Sequence, residues 1–165
     1  MNAPPTLAPV RRENRDLIRS WLMEPVIYAF WGSAAAAEAE VRIALESSTA
    51  ISRMIVADGQ LIGYAHSMDC ALLGLDHAAV LAPGTWDCAL FVASEAHRGR
   101  GAGTAALGLL VAEVFGSTLA PACVIRVPVA REAQVRAVEA AGFRWLKIEA
   151  DPALGPVWVM QAERP

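Results

Sequence analysis

The sequence is poor in the features that mark secreted, membrane-bound or metal-holding proteins. Its three cysteines, Cys70, Cys88 and Cys123, are widely spaced, form no CxxC pair and leave one over if two are bridged. That excludes a disulfide framework, and they read as reduced, structural thiols. The three histidines, His66, His77 and His97, show no HExxH or comparable ligand spacing, so no metal is expected. No run approaches the roughly 18 uninterrupted apolar residues of a membrane span. The N-terminal MNAPPTLAPVRRENRD lacks the basic-then-apolar layout of a signal peptide, which points to the cytoplasm. Charge is scarce too, at 19% charged residues and a net charge of −3. Neither disorder nor a general attraction to nucleic acid follows from that balance, and a small cationic substrate suits it.

What is present is an apolar chain, 55% hydrophobic over 165 residues, expected to form one domain spanning 1–165. Its apolar excess is compatible with a monomer or a homodimer. Residues 1–10 carry three prolines and read as extended or as a first strand. Leu17, Ile18, Trp21 and Leu22 share a helical face before Pro25 stops the helix, and Phe30-Trp31-Gly32 reads as a turn. A second helix is expected over Ala34–Ser47, with Ala37, Val41, Ala44 and Leu45 facing the core. Ser52–Ala57 and Gln60–Met68 read as strands joined at Asp58-Gly59, a strong hairpin signal. The stretch Asp69–Gly84 is ambiguous between loop and an excursion of the sheet. Thereafter come a strand at Thr85–Val92, a glycine-rich turn, a helix at Gly103–Phe115, a strand at Cys123–Val129 and a helix at Glu132–Ala141 closed by Gly142. A last pair of strands is expected at Trp145–Glu149 and Pro156–Ala162. This order belongs to a mixed α/β sandwich around a central sheet.

The turn between the fourth strand and its helix carries the chemistry. Arg98-Gly99-Arg100-Gly101-Ala102-Gly103-Thr104 places glycines where main-chain N–H groups at a helix start converge on an anion, and the two arginines suit a pyrophosphate. The rival reading is a tight turn with two solvated arginines. The loop lacks GxxxxGK[ST] and is not a nucleoside-triphosphate P-loop.

In Arg98, Gly101 and Gly103 the loop resembles the Q/R-x-x-G-x-G/A signature of the GNAT superfamily of N-acetyltransferases. The resemblance implies a mixed, mostly antiparallel sheet splayed at the cofactor strand, with helices on both faces. It also implies acetyl-CoA as cofactor, its pyrophosphate held over Arg98–Thr104 (Arg98, Gly99, Arg100, Gly101, Ala102, Gly103, Thr104) and its pantetheine arm on the main chain of Phe91 and Val92. Ser20–Pro25, Phe30-Trp31-Gly32, Leu61–Ser67, Gly84-Thr85-Trp86-Asp87 and Ala141-Gly142-Phe143 are similar to segments of aminoglycoside 6'-N-acetyltransferases and of siderophore-type hydroxylysine acetyltransferases. Acetylation of a primary amine of an aminoglycoside, the 6'-amine first, through a direct ternary complex is the leading expectation, and antibiotic resistance is the role associated with that activity. The alternatives are N-hydroxylysine acylation, which calls for an acceptor site of mixed charge, and a weakly catalytic CoA-binding sensor.

Acetyl transfer needs a neutral amine, a donor for the carbonyl oxygen and a proton for the thiolate. Asp87 is the candidate base or ammonium anchor, with a strand-end cap as its rival role, and the Val92 N–H is the candidate oxygen donor. Many relatives use a tyrosine as acid where this chain has Val138, and an asparagine where it has Arg131. Asp69, Asp76, Asp87, Glu149 and Asp151 are candidate contacts for a cationic acceptor. Trp31 and Tyr64 are candidate aromatic walls, with core packing as the rival; Trp21, Trp145 and Trp158 read as core or sheet-face residues.

Overall fold

The computed structural model describes residues 3–75 and 81–165. Its strands are β1 (Thr6–Pro9), β2 (Ile51–Ala57), β3 (Gln60–Asp69), β4 (Trp86–Val92), β5 (Ala122–Pro128), β6 (Arg144–Asp151) and β7 (Gly155–Glu163). Its helices are α1 (Arg15–Leu22), α2 (Pro25–Tyr28), α3 (Ala34–Glu46), α4 (Ala102–Ser117) and α5 (Glu132–Ala140). The strands form one sheet in the order β1-β2-β3-β4-β5-β7-β6, antiparallel except where β4 meets β5.

Local chemistry explains most boundaries. Asp58 and Gly59 both take positive φ, 51° and 73°, as the tight β2–β3 turn requires. Pro25 ends one helix and opens the next, because its fixed φ and missing N–H suit a first helical position. Ser33 caps α3 by accepting from the Ala36 N–H at 3.1 Å. The ambiguous stretch after β3 begins as a 3-10 turn, Cys70–Leu73, closed by Gly74 at φ 69°.

Strand alternation sorts the core into two faces. Ile55, Ala65, Cys88, Leu107 and Val138 pack together on the side of α4 and α5. Met54, Tyr64 and Phe91, each one residue out of phase, pack with Ile18, Leu22 and Val41 of α1 and α3 on the other. Helices therefore cover both faces of the sheet. The expected roles of Trp21 and Trp158 hold, since both are half-buried against core clusters. Trp145 takes the sheet-face role, 56% exposed and stacked on Trp158 of the neighbouring strand with ring centroids 5.0 Å apart. Among the described residues no helix is long and apolar enough to cross a membrane.

Candidate active site

Strands β4 and β5 pair only at Trp86↔Cys123 and Asp87↔Val124 and then diverge. A cavity of about 630 Å³ fills the opening, walled by Leu90 and Val92 of β4, Leu107 of α4, Val127 of β5 and Val138 of α5. Which main-chain groups face it follows from alternation along β4. The Thr85 carbonyl accepts from the Cys70 N–H at 3.0 Å, the Asp87 carbonyl from Ser67 Oγ at 2.8 Å, and the Ala93 N–H donates to the Ile62 carbonyl at 2.7 Å. Odd-numbered residues thus turn toward β3, and the main-chain groups of Leu90 and Val92 turn toward the open cleft. At Phe91 the carbonyl leans over Gly63 so closely that a β carbon there would collide with it. In a trans peptide the N–H points opposite to the carbonyl, which aims the Val92 N–H away from β3.

The glycine loop closes the mouth of this cleft. Gly99 and Gly101 take φ of 73° and 87°, and Gly99, Gly101, Gly103 and Thr104 line the cavity. The first intrahelical bond of α4 runs from the Ala105 N–H to the Gly101 carbonyl, leaving the N–H groups of Ala102, Gly103 and Thr104 free for an anion. The Thr104 hydroxyl is committed elsewhere, donating to the Ala137 carbonyl of α5 at 3.0 Å. Arg98 lines the cavity and has a second task. Its Nε and Nη2 donate to the carbonyls of Val92 and Ala93 at 3.1 and 2.8 Å, so it also fastens the loop to the strand end. Arg100 is exposed and lies outside the cavity wall. His97 bridges Ser94 Oγ at 2.8 Å and Asp58 Oδ2 at 3.1 Å, tying the loop to the β2–β3 turn. Free helix-start amides, an unpaired strand edge and apolar walls together fit an acyl carrier with a diphosphate and an amide-containing arm.

At the vertex of the cleft the wall becomes charged. Asp87 is only 3% exposed, and burial pushes its carboxyl up to about 8, with the Glu40 charge adding and Arg126 opposing. Glu40 lines the same cavity. Burial alone would raise it, but hydrogen bonding and electrostatic attraction from His66, the Trp31 N–H and the Arg126 charge outweigh that and hold it below its ordinary value. Strand geometry also separates two residues expected to serve one reacting group. At about 3.3 Å per residue, Asp87 and Val92 lie about 16 Å apart along β4. The Leu90 N–H, three residues from Asp87, is nearer by about 7 Å.

The structure gathers Asp87, Phe91, Val92, Arg98, Gly99, Gly101, Gly103, Thr104, Trp31 and Asp151 around the cavity. Asp151 spends Oδ1 on the N–H groups of Ala153 and Leu154, at 2.8 and 2.9 Å, shaping the β6–β7 turn. Other expected contacts lie elsewhere. Tyr64 is fully buried beside Phe91, 5.9 Å between centroids, because its side chain shares the packed α1–α3 face. Asp69 caps the 3-10 turn through the Ala71 N–H, at 3.0 Å. Glu149 pairs with Lys147 Nζ at 2.6 Å and reaches only a small hollow shared with Asp87 and Arg126. Ala102 is half-buried against the core and contributes its main chain alone. Asp76 lies outside the described residues.

Sequence reasoning passed over Glu40 and Arg126 as site residues. A signal for Glu40 was present: it sits three residues after Ala37 and four before Ala44, on the buried stripe of α3. Arg131, noted only as a departure from relatives, also lines the cavity, its guanidinium 4.7 Å from the Phe30 ring centroid.

The GNAT acetyltransferase domain model matches residues 11–148. The chain belongs to the GNAT acetyltransferase family, enzymes that move an acetyl group from acetyl-CoA to an amine. Among solved structures it is similar to the aminoglycoside acetyltransferase AAC(6')-Ib in complex with paromomycin and acetyl-CoA, at TM-score 0.82 and 21% identity, covering 98% of this chain and 94% of that one. It is also similar to the aminoglycoside N(6')-acetyltransferase of Legionella pneumophila, at TM-score 0.73 and 15% identity, covering 99% and 94%. A third likeness is to spermidine N-acetyltransferase from Vibrio cholerae in complex with CoA and spermine, at TM-score 0.73 and 14% identity, covering 96% and 95%. A search of curated proteins finds no match.

Proposed function

We propose that this enzyme acetylates a primary amine of an aminoglycoside, the 6'-amine above all, with acetyl-CoA as donor in a direct ternary complex. The observation that carries the reading is the acidic vertex, Asp87 with Glu40, at the inner end of a cleft whose mouth is a glycine loop on a helix start. Bound acetyl-CoA supplies the activated acetyl group. The free amides of Ala102, Gly103 and Thr104 receive its diphosphate, and the cleft-facing main chain of Leu90 and Val92 receives its arm. Asp87, tuned near the working pH, takes the proton from the acceptor ammonium directly or through one water. Given the separation along β4, the carbonyl-oxygen donor nearest an amine served by Asp87 is the Leu90 N–H, with Val92 holding the arm further out.

Arg126 beside the carboxylates, with Arg131 elsewhere on the cavity wall, favours a second reading, since a mixed-charge wall suits an N-hydroxylysine acceptor that carries its own carboxylate. A thiol-release assay with acetyl-CoA against kanamycin, spermidine and N-hydroxylysine separates the two. Fastest turnover of kanamycin supports the leading reading. Fastest turnover of N-hydroxylysine replaces it, and acetyl-CoA binding without turnover of any amine leaves a CoA-binding module.

A further inference from the structure

Glu40 is held by more structure than a surface ion pair needs. One of its oxygens, Oε2, accepts from Trp31 Nε1 at 2.9 Å and lies 3.1 Å from His66 Nε2. An ionised carboxylate only accepts, so Nε2 carries a ring proton. His66 is fully buried, and its Nδ1 lies 3.2 Å from Tyr64 Oη, which in turn lies 3.3 Å from Ser52 Oγ. Tyr64 has one hydroxyl proton, to give to His66 or to Ser52, so the array stays satisfied with the ring neutral or protonated. Side chains from β2, β3 and the α2–α3 connection thus converge to fix a single oxygen.

The second oxygen, Oε1, has no partner in this network. It is also not a sealed-in orphan, for among the described residues no fully buried side-chain oxygen lacks a hydrogen-bond partner. Oε1 is therefore within reach of solvent, and Glu40 is one of the residues that line the cavity with Asp87 and Trp31. A carboxylate rigidly held by one oxygen and free at the other is prepared to accept from a ligand, and a cationic donor is what such a group prefers. The Trp31 ring beside it offers a face for a cation or a sugar.

We infer that Glu40 anchors the ammonium group of the acceptor beside Asp87, and that His66 is the positioning residue that aims it. The assignment rests on the acetyltransferase reading of the cleft. It gives the two carboxylates different work: Glu40 stays ionised and binds, while Asp87 exchanges the proton. The groups that face Asp87 are Glu40 from α3, Arg126 from β5, Cys70 from the 3-10 turn, Cys88 beside it and Glu149 across the small hollow. Those that face Glu40 are His66 and Tyr64 from β3, Trp31, Arg126 and Asp87.

The test measures acceptor KM, acetyl-CoA affinity by calorimetry and the pH profile of kcat/KM. It uses whichever of kanamycin, spermidine or N-hydroxylysine the wild type turns over fastest. Glu40→Gln should raise the acceptor KM by about 10 to 100-fold, the loss of one charge-assisted hydrogen bond. Acetyl-CoA affinity should stay within twofold. The acid limb of kcat/KM should move to lower pH, because Asp87 ionises more easily without a negative neighbour. His66→Leu should reproduce the KM effect, and His66→Gln, which keeps a donor toward Glu40, should restore most of it. Unchanged acceptor KM and an unmoved limb in Glu40→Gln, with acetyl-CoA binding intact, would overturn the anchor and leave the acetyltransferase reading standing. Wild-type protein that fails to bind acetyl-CoA would overturn both.

Discussion

The Phe91 carbonyl occupies the space that a side chain at position 63 would need. Gly63 lies opposite Val92 in the β3–β4 ladder, and its missing β carbon lets the Phe91–Val92 peptide tilt over β3. That tilt coincides with the place where β4 has already left β5, so one small residue on the neighbouring strand helps shape the cleft edge. Gly63→Ala should destabilise the fold by about 1 to 3 kcal/mol, as overpacking does. It should also weaken acetyl-CoA binding, because the Val92 N–H is re-aimed. Thermal melting and calorimetry would register both; loss of stability with unchanged affinity would separate the tilt from the site.

Gly101 is constrained differently. A β carbon there meets nothing in the chain within 4 Å, yet φ is 87°. Gly142 shares both properties, with φ 98°, and does not line the cavity. Replacing either with alanine should cost about 1 to 2 kcal/mol of backbone strain. Only Gly101→Ala should raise the acetyl-CoA KM, by crowding the anion's approach to the helix start. Equal KM values for the two variants would remove the loop from cofactor binding.

Asp87 makes stability and activity run in opposite directions with pH. Its folded-state value of about 8 lies above the ordinary 3.8, so between those values the folded protein holds a proton that the unfolded chain has lost. The Asp87 contribution therefore falls as pH rises through that window and is at its worst above 8. Activity should rise over the upper part of the same range as the base ionises. Asp87→Asn should melt higher than wild type at pH 9, equal it near pH 4, and turn over at least about tenfold more slowly. A variant that is slower but no more stable at pH 9 would show that Asp87 is already charged in the folded state.

What could be read in advance follows the range of the interactions. The Asp58-Gly59 turn, the helix after Gly101 and the apolar stripe of α3 are fixed by residues within one turn of each other, and each is where periodicity and turn chemistry put it. The acceptor wall is not local. Glu40 and His66 are 26 residues apart and meet only because α3 packs on the face of β3 that also carries Tyr64. Tyr64 was legible as an aromatic for either pocket wall or core, and the choice between them depends on which face of β3 the helices α1 and α3 cover. Arg98 shows the same limit: its place in a glycine loop suggests a ligand for phosphate, while its bonds to the two carbonyls at the end of β4, five and six residues upstream, depend on how the loop folds back on the strand.

The two arginines of the loop should therefore answer differently to substitution. Arg98 donates to the Val92 and Ala93 carbonyls, and its removal leaves both without those donors while freeing the segment that leads to Gly99. Arg98→Met should lower the melting temperature and raise the acetyl-CoA KM by disordering the loop, and the residual binding should keep the salt dependence of wild type. Arg100 is exposed, so Arg100→Met should leave stability nearly unchanged. If its charge acts on the diphosphate from the rim, that variant should bind acetyl-CoA more weakly at low salt and converge on wild type at about 0.5 M salt, where screening removes the difference. Calorimetric titrations of both variants at two ionic strengths decide the matter: a salt-sensitive defect in Arg98→Met would mean that its guanidinium acts on the ligand's charge as well as holding the loop.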